Sequence, residues 1–332
     1  MNVCGIDVSK NSLEIVTIVE TKVSRVKTFA NTRTGHKVLV GHLKKLKVDH
    51  VCMEATGNYH LDIALILTAH KTIKLMVINP KVAHSFGKAL AAKAKTDAID
   101  ACVLAQYALR MEFKQWQAPP EVFFAVRACS RRLYQLVKLN TKLKNQLHSY
   151  QNTDFTPEFI IDDALQSVLQ VEQQIKNLIK HTLQIIEADE QASSMYKILI
   201  NIDRFGPRTA IKLVGEIGVL DPELKGKQLV AHAGLYPTII TSGTSVNKKS
   251  RLSKTGNKYI REALYMSAMS LTQHNENIAA YYQHLINDNG LAKRQAICAI
   301  MRKLLLAISC MLKNQSTFDP SKFYQIKAQD MH

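Results

Sequence analysis

The sequence predicts an α/β domain with a mixed sheet at its N-terminus, followed by a chain that is almost entirely helical. The first 120 residues alternate short β-rich apolar runs with helical spacing, a pattern typical of α/β folds. Beyond Pro119-Pro120 the strand signal disappears, and apolar residues recur every three and four positions. A net charge of +17, from 44 Lys and Arg against 27 Asp and Glu, favours a polyanionic partner such as nucleic acid.

The N-terminal domain, residues 1–120, is predicted to begin with a β-hairpin. Two apolar runs are joined by Ser9-Lys10-Asn11-Ser12, a turn-forming segment. Three antiparallel strands followed by βα units give the mixed sheet. The predicted strands are 3–8, 13–19, 23–29, 51–53 and 74–78, and the predicted helices are 35–47, 60–69 and 97–110.

The middle region, residues 121–192, carries heptad-like apolar spacing on both sides of a break at Asn152 to Pro157. This spacing predicts an antiparallel coiled-coil hairpin, and two ordinary bundle helices are an almost equal alternative. No acid falls between Glu121 and Asp154, so the bases of the first helix indicate a face that binds a nucleic-acid backbone, although a solvated charged face explains part of the pattern. These basic residues are Arg127, Arg131, Arg132, Lys138, Lys142 and Lys144.

A third domain is predicted over residues 193–318, mostly helical, with a frayed tail over 319–332. The stretch around Gly206 and Pro207 resembles a helix-hairpin-helix, with Arg204 where a first glycine is usual. Downstream, a polar loop and two terminal helices are expected. A second set of nucleic-acid-binding bases is Lys248, Lys249, Arg251, Lys254, Lys258 and Arg261.

Membrane insertion and structural zinc are not expected. No apolar run reaches the roughly 18 residues that span a bilayer, and the longest candidate, 296–312, is interrupted by Arg302 and Lys303. The six cysteines are scattered without a C-x-x-C pair, as expected for small core residues in a reducing cytoplasm. We expect a cytoplasmic, nucleoid-associated protein of a bacterium or archaeon.

Four carboxylates are placed for metal-dependent chemistry. Asp7 and Glu54 lie at strand ends, where active sites of open α/β sheets gather, and Asp97 and Asp100 share one face at a helix start. Hard carboxylate oxygens suit Mg²⁺, or Mn²⁺, and two such ions stabilise the attacking and leaving oxygens of phosphodiester cleavage. Taken singly, each acid is equally well explained as a helix cap, an ion-pair partner or a solvated turn residue.

The segments GIDVSK, MEATGNYH, KAKTDAIDACVLA, AGLYPTIITSG and LSKTGNKYIREAL resemble the DEDD insertion-sequence transposases, insertion-sequence family one-hundred-ten, which includes the Piv-type invertases. The resemblance covers nearly the whole chain. It implies an RNase H-like, RuvC-like N-terminal domain with Asp7, Glu54, Asp97 and Asp100 as catalytic metal ligands. It also implies a serine nucleophile at Ser242, DNA as substrate, a homo-oligomer (dimer or tetramer) and a guide (bridge) RNA.

Two other functions remain open from the sequence. A stand-alone structure-specific nuclease, such as a RuvC-like junction resolvase, fits the N-terminal domain equally well. A non-enzymatic nucleic-acid binder would also account for the charge, but the presence of all four acids argues against a decayed active site. The large basic C-terminal domain with its serine motif favours the transposase, because a resolvase has no need of it.

Overall fold

The computed structural model describes residues 1–90, 96–242 and 246–326, and the side chains of 239–242 and 246–251 lie outside that description. The chain forms two compact units, Met1–Ala118 and Pro119–His332, and each is treated by itself.

Unit 1 is built on a mixed sheet with the order β3-β2-β1-β5-β6, and β4 also pairs with β2. β1 is antiparallel to β2 and parallel to β5, and β5 is parallel to β6. The strand predicted over 23–29 is divided in two, because Ser24 turns its hydroxyl to accept a hydrogen bond from the backbone N–H of Thr17. The strands are β1 (Val3–Val8), β2 (Ser12–Val19), β3 (Lys22–Val23), β4 (Lys27–Ala30), β5 (His50–Glu54) and β6 (Lys74–Ile78).

Helices cover both faces of this sheet. Leu39 of α1 (Arg33–Lys45) and Ile63 of α2 (Leu61–Thr68) pack against one face. α3 (Pro80–Ala89) and α4 (Asp97–Arg110) pack against the other. The sequence interpretation missed α3, although Asn79 caps it and proline occupies its first position, a recognised start signal.

Unit 2 begins with two long helices, α5 (Glu121–Gln151) and α6 (Glu158–Glu187). They are joined by a short turn where the break was predicted, and they pack together through Leu133, Leu136, Val171 and Ile175. α5 also packs tightly on α8, since a Cβ on Gly215 would lie 2.8 Å from the Cα of Arg127. The remaining helices are α7 (Glu190–Ile200), α8 (Pro207–Ile217), α9 (Gly226–Ala233), α10 (Lys258–His274), α11 (Glu276–Asn287), α12 (Lys293–Asn314) and α13 (Pro320–Phe323).

Three sequence expectations for unit 2 need correction. The expected polar loop contains a hairpin, β7 (Pro237–Ser242) and β8 (Val246–Leu252), for which Ile239 and Ile240 were the missed β-branched signal. Three longer helices follow it instead of two. The predicted tail begins with α13, because Phe323 is buried against the core of the unit.

Two further features of unit 2 bear on expectations. Arg204, between α7 and α8, has φ 61°, the left-handed conformation that glycine adopts at least cost. α12 is long and apolar enough to cross a bilayer, but Ile300, Leu304 and Ile308 along it are fully buried within the folded unit, as in a core helix.

Candidate active site

Asp7 and Glu54 lie side by side at the carboxyl ends of two adjacent parallel strands. The register pairs Ile6 of β1 with Met53 of β5, so the next residues along the strands are Asp7 and Glu54. Neighbouring strands are about 4.8 Å apart, and residues in register point to the same face of a sheet. Both acidic side chains therefore leave the sheet at one edge and on one face, the face that packs against α4.

Gly5 brings α4 unusually close to this edge. A Cβ on Gly5 would lie 2.0 Å from the carbonyl oxygen of Ala101 and 2.3 Å from the backbone nitrogen of Ala105. Only glycine permits this approach of a helix backbone to a strand. Because Gly5 and Asp7 point to the same face, the helix that rests on Gly5 directs its N-terminal turn towards Asp7.

The N-terminal turn of α4 carries the other two acids. Thr96 caps the helix, its hydroxyl accepting a hydrogen bond from the backbone N–H of Ile99 at 3.3 Å. Asp97 and Asp100 fall in the first turn, where the helix dipole favours negative charge. The helix predicted over 97–110 thus has the predicted bounds, and its capped start presents both acids to the strand ends.

The pKa of Asp7 reflects the proximity of the other three acids. Burial, followed by the charges of Asp97, Asp100 and Glu54, raises the pKa of Asp7 from 3.8 to about 6. Within the described residues no three acids, histidines or cysteines meet closely enough to hold a metal ion as the side chains stand. The donor set nevertheless fits a hard divalent cation, since carboxylate oxygens are its preferred ligands and positive charge would stabilise the ionised form of Asp7.

Two neighbours of these acids were not anticipated. Thr56, in the turn after β5, donates its hydroxyl to Glu54 Oε1 at 3.4 Å, and Gly57 completes that turn with φ 53°. Glu14 of β2 is paired across the strands with Asp7, but it is not among the charges that raise the pKa of Asp7. Glu14 is thus beside the site without belonging to the four.

The serine predicted from the C-terminal motif lies on the hairpin of unit 2. Ser242 is the last residue of β7, and its backbone is paired with Val246 of β8; its side chain is outside the described residues. The same holds for the side chains of Lys248, Lys249 and Arg251 on β8. The structure therefore places the backbone of this segment and leaves the role of Ser242 a prediction.

The base of the hairpin is fixed by close backbone contacts. Gly234 and Gly256 have φ of 69° and 155°, and a Cβ on Gly256 would lie 2.3 Å from the carbonyl oxygen of His232. The predicted nucleic-acid ligand Arg261 instead donates to the Ala233 carbonyl at 2.8 Å. That contact ties the end of α9 to the start of α10.

The basic face predicted on α5 is only partly available. Arg131 forms a two-pronged ion pair with Glu216, at 2.8 and 3.2 Å, and Arg127 approaches the same carboxylate at 3.5 Å. Glu216 is completely buried. It also accepts a hydrogen bond from the Asn257 side chain at 2.7 Å. Counter-charges missing from α5 beyond Glu121 come from other helices: α8 supplies Glu216, 85 residues after Arg131, and α6 supplies Glu172, which pairs with Lys144 at 2.7 Å. Arg127 and Arg131 thus join α5 to α8.

Arg132, Lys138 and Lys142 remain exposed on α5. Lys254, between the β-hairpin and α10, and Lys258, at the start of α10, are also exposed. These five residues, predicted as nucleic-acid ligands, keep surface positions. Local sequence could not separate them from Arg127 and Arg131, because the deciding partner lies on another helix.

Two family descriptions match this chain. A transposase family of the DEDD, IS110 type matches residues 4–153. The transposase IS116/IS110/IS902 family matches residues 196–283. Together they span most of the chain and both units.

Among individual proteins, the pilin gene-inverting protein of Moraxella bovis is 28% identical over 95% of this chain and 97% of its own length. An insertion element IS110 protein of Streptomyces coelicolor is 25% identical over 40% of this chain and 33% of its own length. Of solved structures, T. thermophilus RuvC in complex with a Holliday junction substrate aligns with 35% of this chain and 99% of its own, at 13% identity and a TM-score of 0.29.

Proposed function

Because this chain belongs to the IS110 family of transposases, we propose that it cleaves and rejoins DNA with a carboxylate-bound metal ion in unit 1 and a serine nucleophile in unit 2. The observation that carries the proposal is the convergence of Asp7, Glu54, Asp97 and Asp100 on one sheet edge, with the pKa of Asp7 raised to about 6 by the other three acids and burial. The family match over 196–283 favours a transposase over a stand-alone resolvase.

The four acids would hold Mg²⁺ or Mn²⁺. When bound, such an ion polarises a phosphodiester and offsets the charge that develops on its oxygens. The chain's own contribution is to keep the carboxylates assembled. Gly5 sets the distance between β1 and α4, Thr96 fixes where the helix starts, and Thr56 donates to Glu54.

This part of the proposal is tested with Asp7→Asn, Glu54→Gln, Asp97→Asn and Asp100→Asn. Each variant should lose strand cleavage of element-end DNA while keeping its fold, because removing a repelled carboxylate does not destabilise a metal-free site. Glu14→Gln is the matched control, since Glu14 faces Asp7 across the strands but lies outside the four. Cleavage by Asp7→Asn at the rate of Glu14→Gln would refute the assignment. Mn²⁺ titration followed by electron paramagnetic resonance gives a second readout, independent of cleavage.

The serine step is written for Ser242. Its oxygen attacks a DNA phosphorus, the hydroxyl proton leaves to a base, and the bond to one deoxyribose oxygen breaks to release a free hydroxyl end. The resulting phosphoserine ester conserves the bond energy, so attack by another DNA hydroxyl rejoins the strand and frees the serine. The Ser242 hydroxyl must be activated before it attacks. The lysine and arginine residues that follow it would offset the negative charge that develops on the phosphate.

A trapped protein–DNA adduct, mapped by peptide mass, tests this step. The adduct should fall on the peptide containing Ser242 and vanish in Ser242→Ala. Persistence of the adduct in that variant, or its location on Ser245, would overturn the assignment.

We further propose that the protein works as a dimer or tetramer and binds a guide RNA as well as DNA. The exposed turn between the two long helices α5 and α6 supports self-association. Phe155 and Phe159, at the turn between α5 and α6, are 94% and 72% exposed, and large apolar side chains so exposed are typical of an interaction surface. Membership of the family and the net charge of +17 support the proposal that the protein binds a guide RNA.

A further inference from the structure

Two tyrosines and four cations from three helices meet on unit 2. Tyr134 of α5 and Tyr259 of α10 stand edge to face, with ring centroids 5.1 Å apart and planes at 84°. Arg131 lies over the Tyr259 ring at 4.8 Å. Around Tyr134 are the ammonium groups of Lys138 at 4.7 Å, Lys212 at 5.6 Å and Lys258 at 5.9 Å, and Lys258 is also 5.2 Å from the Tyr259 ring.

Among the residues that the structure describes, two of these four cations are paired with carboxylates. Arg131 is paired with the buried Glu216, and Lys212 is paired with Glu262. Lys138 and Lys258 are exposed, and neither forms an ion pair with any carboxylate that the structure describes. We use the name tyrosine–lysine cluster for Tyr134, Tyr259, Lys138 and Lys258.

Both ammonium groups lie against the Tyr134 ring, and Lys138 is also hydrogen-bonded to the Tyr134 side chain. The electron-rich faces of the tyrosine rings attract these cations. An anion held by both lysines would complement their charge, and the sugar next to it would lie beside the partly exposed tyrosine rings. Inorganic phosphate supplies the charge alone, whereas a nucleic-acid strand supplies both.

We propose that the tyrosine–lysine cluster binds a phosphodiester backbone, with one phosphate shared by Lys138 and Lys258. The proposal rests on the nucleic-acid-processing function above, and it adds a site to which both tyrosines belong. Lys258 directly follows Asn257, whose backbone N–H donates to His232 at the base of the hairpin. A nucleic-acid strand bound here therefore lies next to the base of the hairpin formed by β7 and β8.

The experiment is a double-mutant cycle on binding, so that it does not depend on catalysis. Lys138→Gln, Lys258→Gln and the double variant are titrated with a fluorescein-labelled DNA duplex and, separately, with a labelled RNA hairpin. All variants should fold, since both side chains are exposed. Lys142→Gln is the matched control, one helical turn from Lys138, exposed, and outside the cluster.

Each cluster variant should weaken binding roughly tenfold. The double variant should weaken it by clearly less than the product of the two, because both lysines serve one phosphate. Lys142→Gln combined with Lys258→Gln should be multiplicative. An effect confined to the RNA arm assigns the cluster to a guide strand, and one confined to the DNA arm assigns it to the element.

A second readout addresses the tyrosines. Photo-crosslinking with 5-iodouracil placed along the bound strand should give an adduct on the peptide of Tyr134 or Tyr259, with exposed Tyr265 as the comparison. Multiplicative effects of Lys138→Gln and Lys258→Gln, or an adduct at Tyr265 alone, would overturn the cluster while leaving the proposed function intact. A wild-type protein that binds neither DNA nor RNA would overturn both.

Discussion

Replacing Gly5 by alanine separates the geometry of the acid site from its chemistry. The added Cβ would lie 2.0 Å from the Ala101 carbonyl oxygen, whereas ordinary contact begins at 3.4 Å, so α4 must retreat by about 1.4 Å at this point. Such overpacking typically costs about 1–3 kcal/mol. The same shift carries Asp97 and Asp100 away from Asp7, and a misplacement of about 1 Å in catalytic geometry lowers rates about 100-fold.

Gly41→Ala is the matched control, because it lies in the interior of α1 and a Cβ there would have no atom within 4 Å. It should stabilise unit 1 by about 0.4–1 kcal/mol and leave cleavage unchanged. Urea unfolding measures the stability of each variant, and single-turnover cleavage measures the chemistry. Wild-type cleavage by folded Gly5→Ala protein would refute the argument that the Gly5 contact sets the distance between the acids.

Three other outcomes are expected. The pKa of Asp7 is raised in the folded protein, so its stabilising contribution is full below about pH 3.8 and is lost as the pH rises through about 6. In EDTA, the melting temperature of Asp7→Asn should therefore be higher than that of wild type at pH 8 and equal to it near pH 4. Equal melting temperatures at pH 8 would contradict this. Glu216→Ala leaves two arginine charges unpaired and should lower the free energy of unfolding in urea by about 3–5 kcal/mol. Glu262→Ala should lower it by less than about 1 kcal/mol, because the Glu262 carboxylate is partly exposed. Similar losses for the two variants would count against the buried network. Phe155→Ser combined with Phe159→Ser should shift the mass measured by light scattering towards that of the monomer. An unchanged mass would exclude the turn between α5 and α6 as the contact between subunits.

The candidate site depends in part on local patterns that the sequence shows. Asp7 was selected because it lies near the end of an apolar run and Glu54 because it directly follows one, and α4 was predicted from its helical spacing with two acids in its first turn. What brought these acids together was not recognisable. Gly5 looks like any glycine in a strand until the helix that rests on it is known.

The same limit explains the errors in unit 2. β8 carries Lys248, Lys249 and Arg251, which conceal a strand from a search for apolar alternation. The ion pairs of Arg127 and Arg131 with Glu216 were hidden from the sequence interpretation because Glu216 belongs to α8. Long-range pairing decides such cases, and a single sequence does not reveal it.

The distance along the chain between Arg131 and Glu216 has a consequence for synthesis. Their contact joins residues 85 positions apart, and ribosomes add roughly 5–20 residues per second. For roughly 4–17 s after Arg131 is added to the chain, Glu216 has not yet been made. During that interval polyanions near the ribosome, ribosomal RNA among them, can compete for the arginines that Glu216 later neutralises.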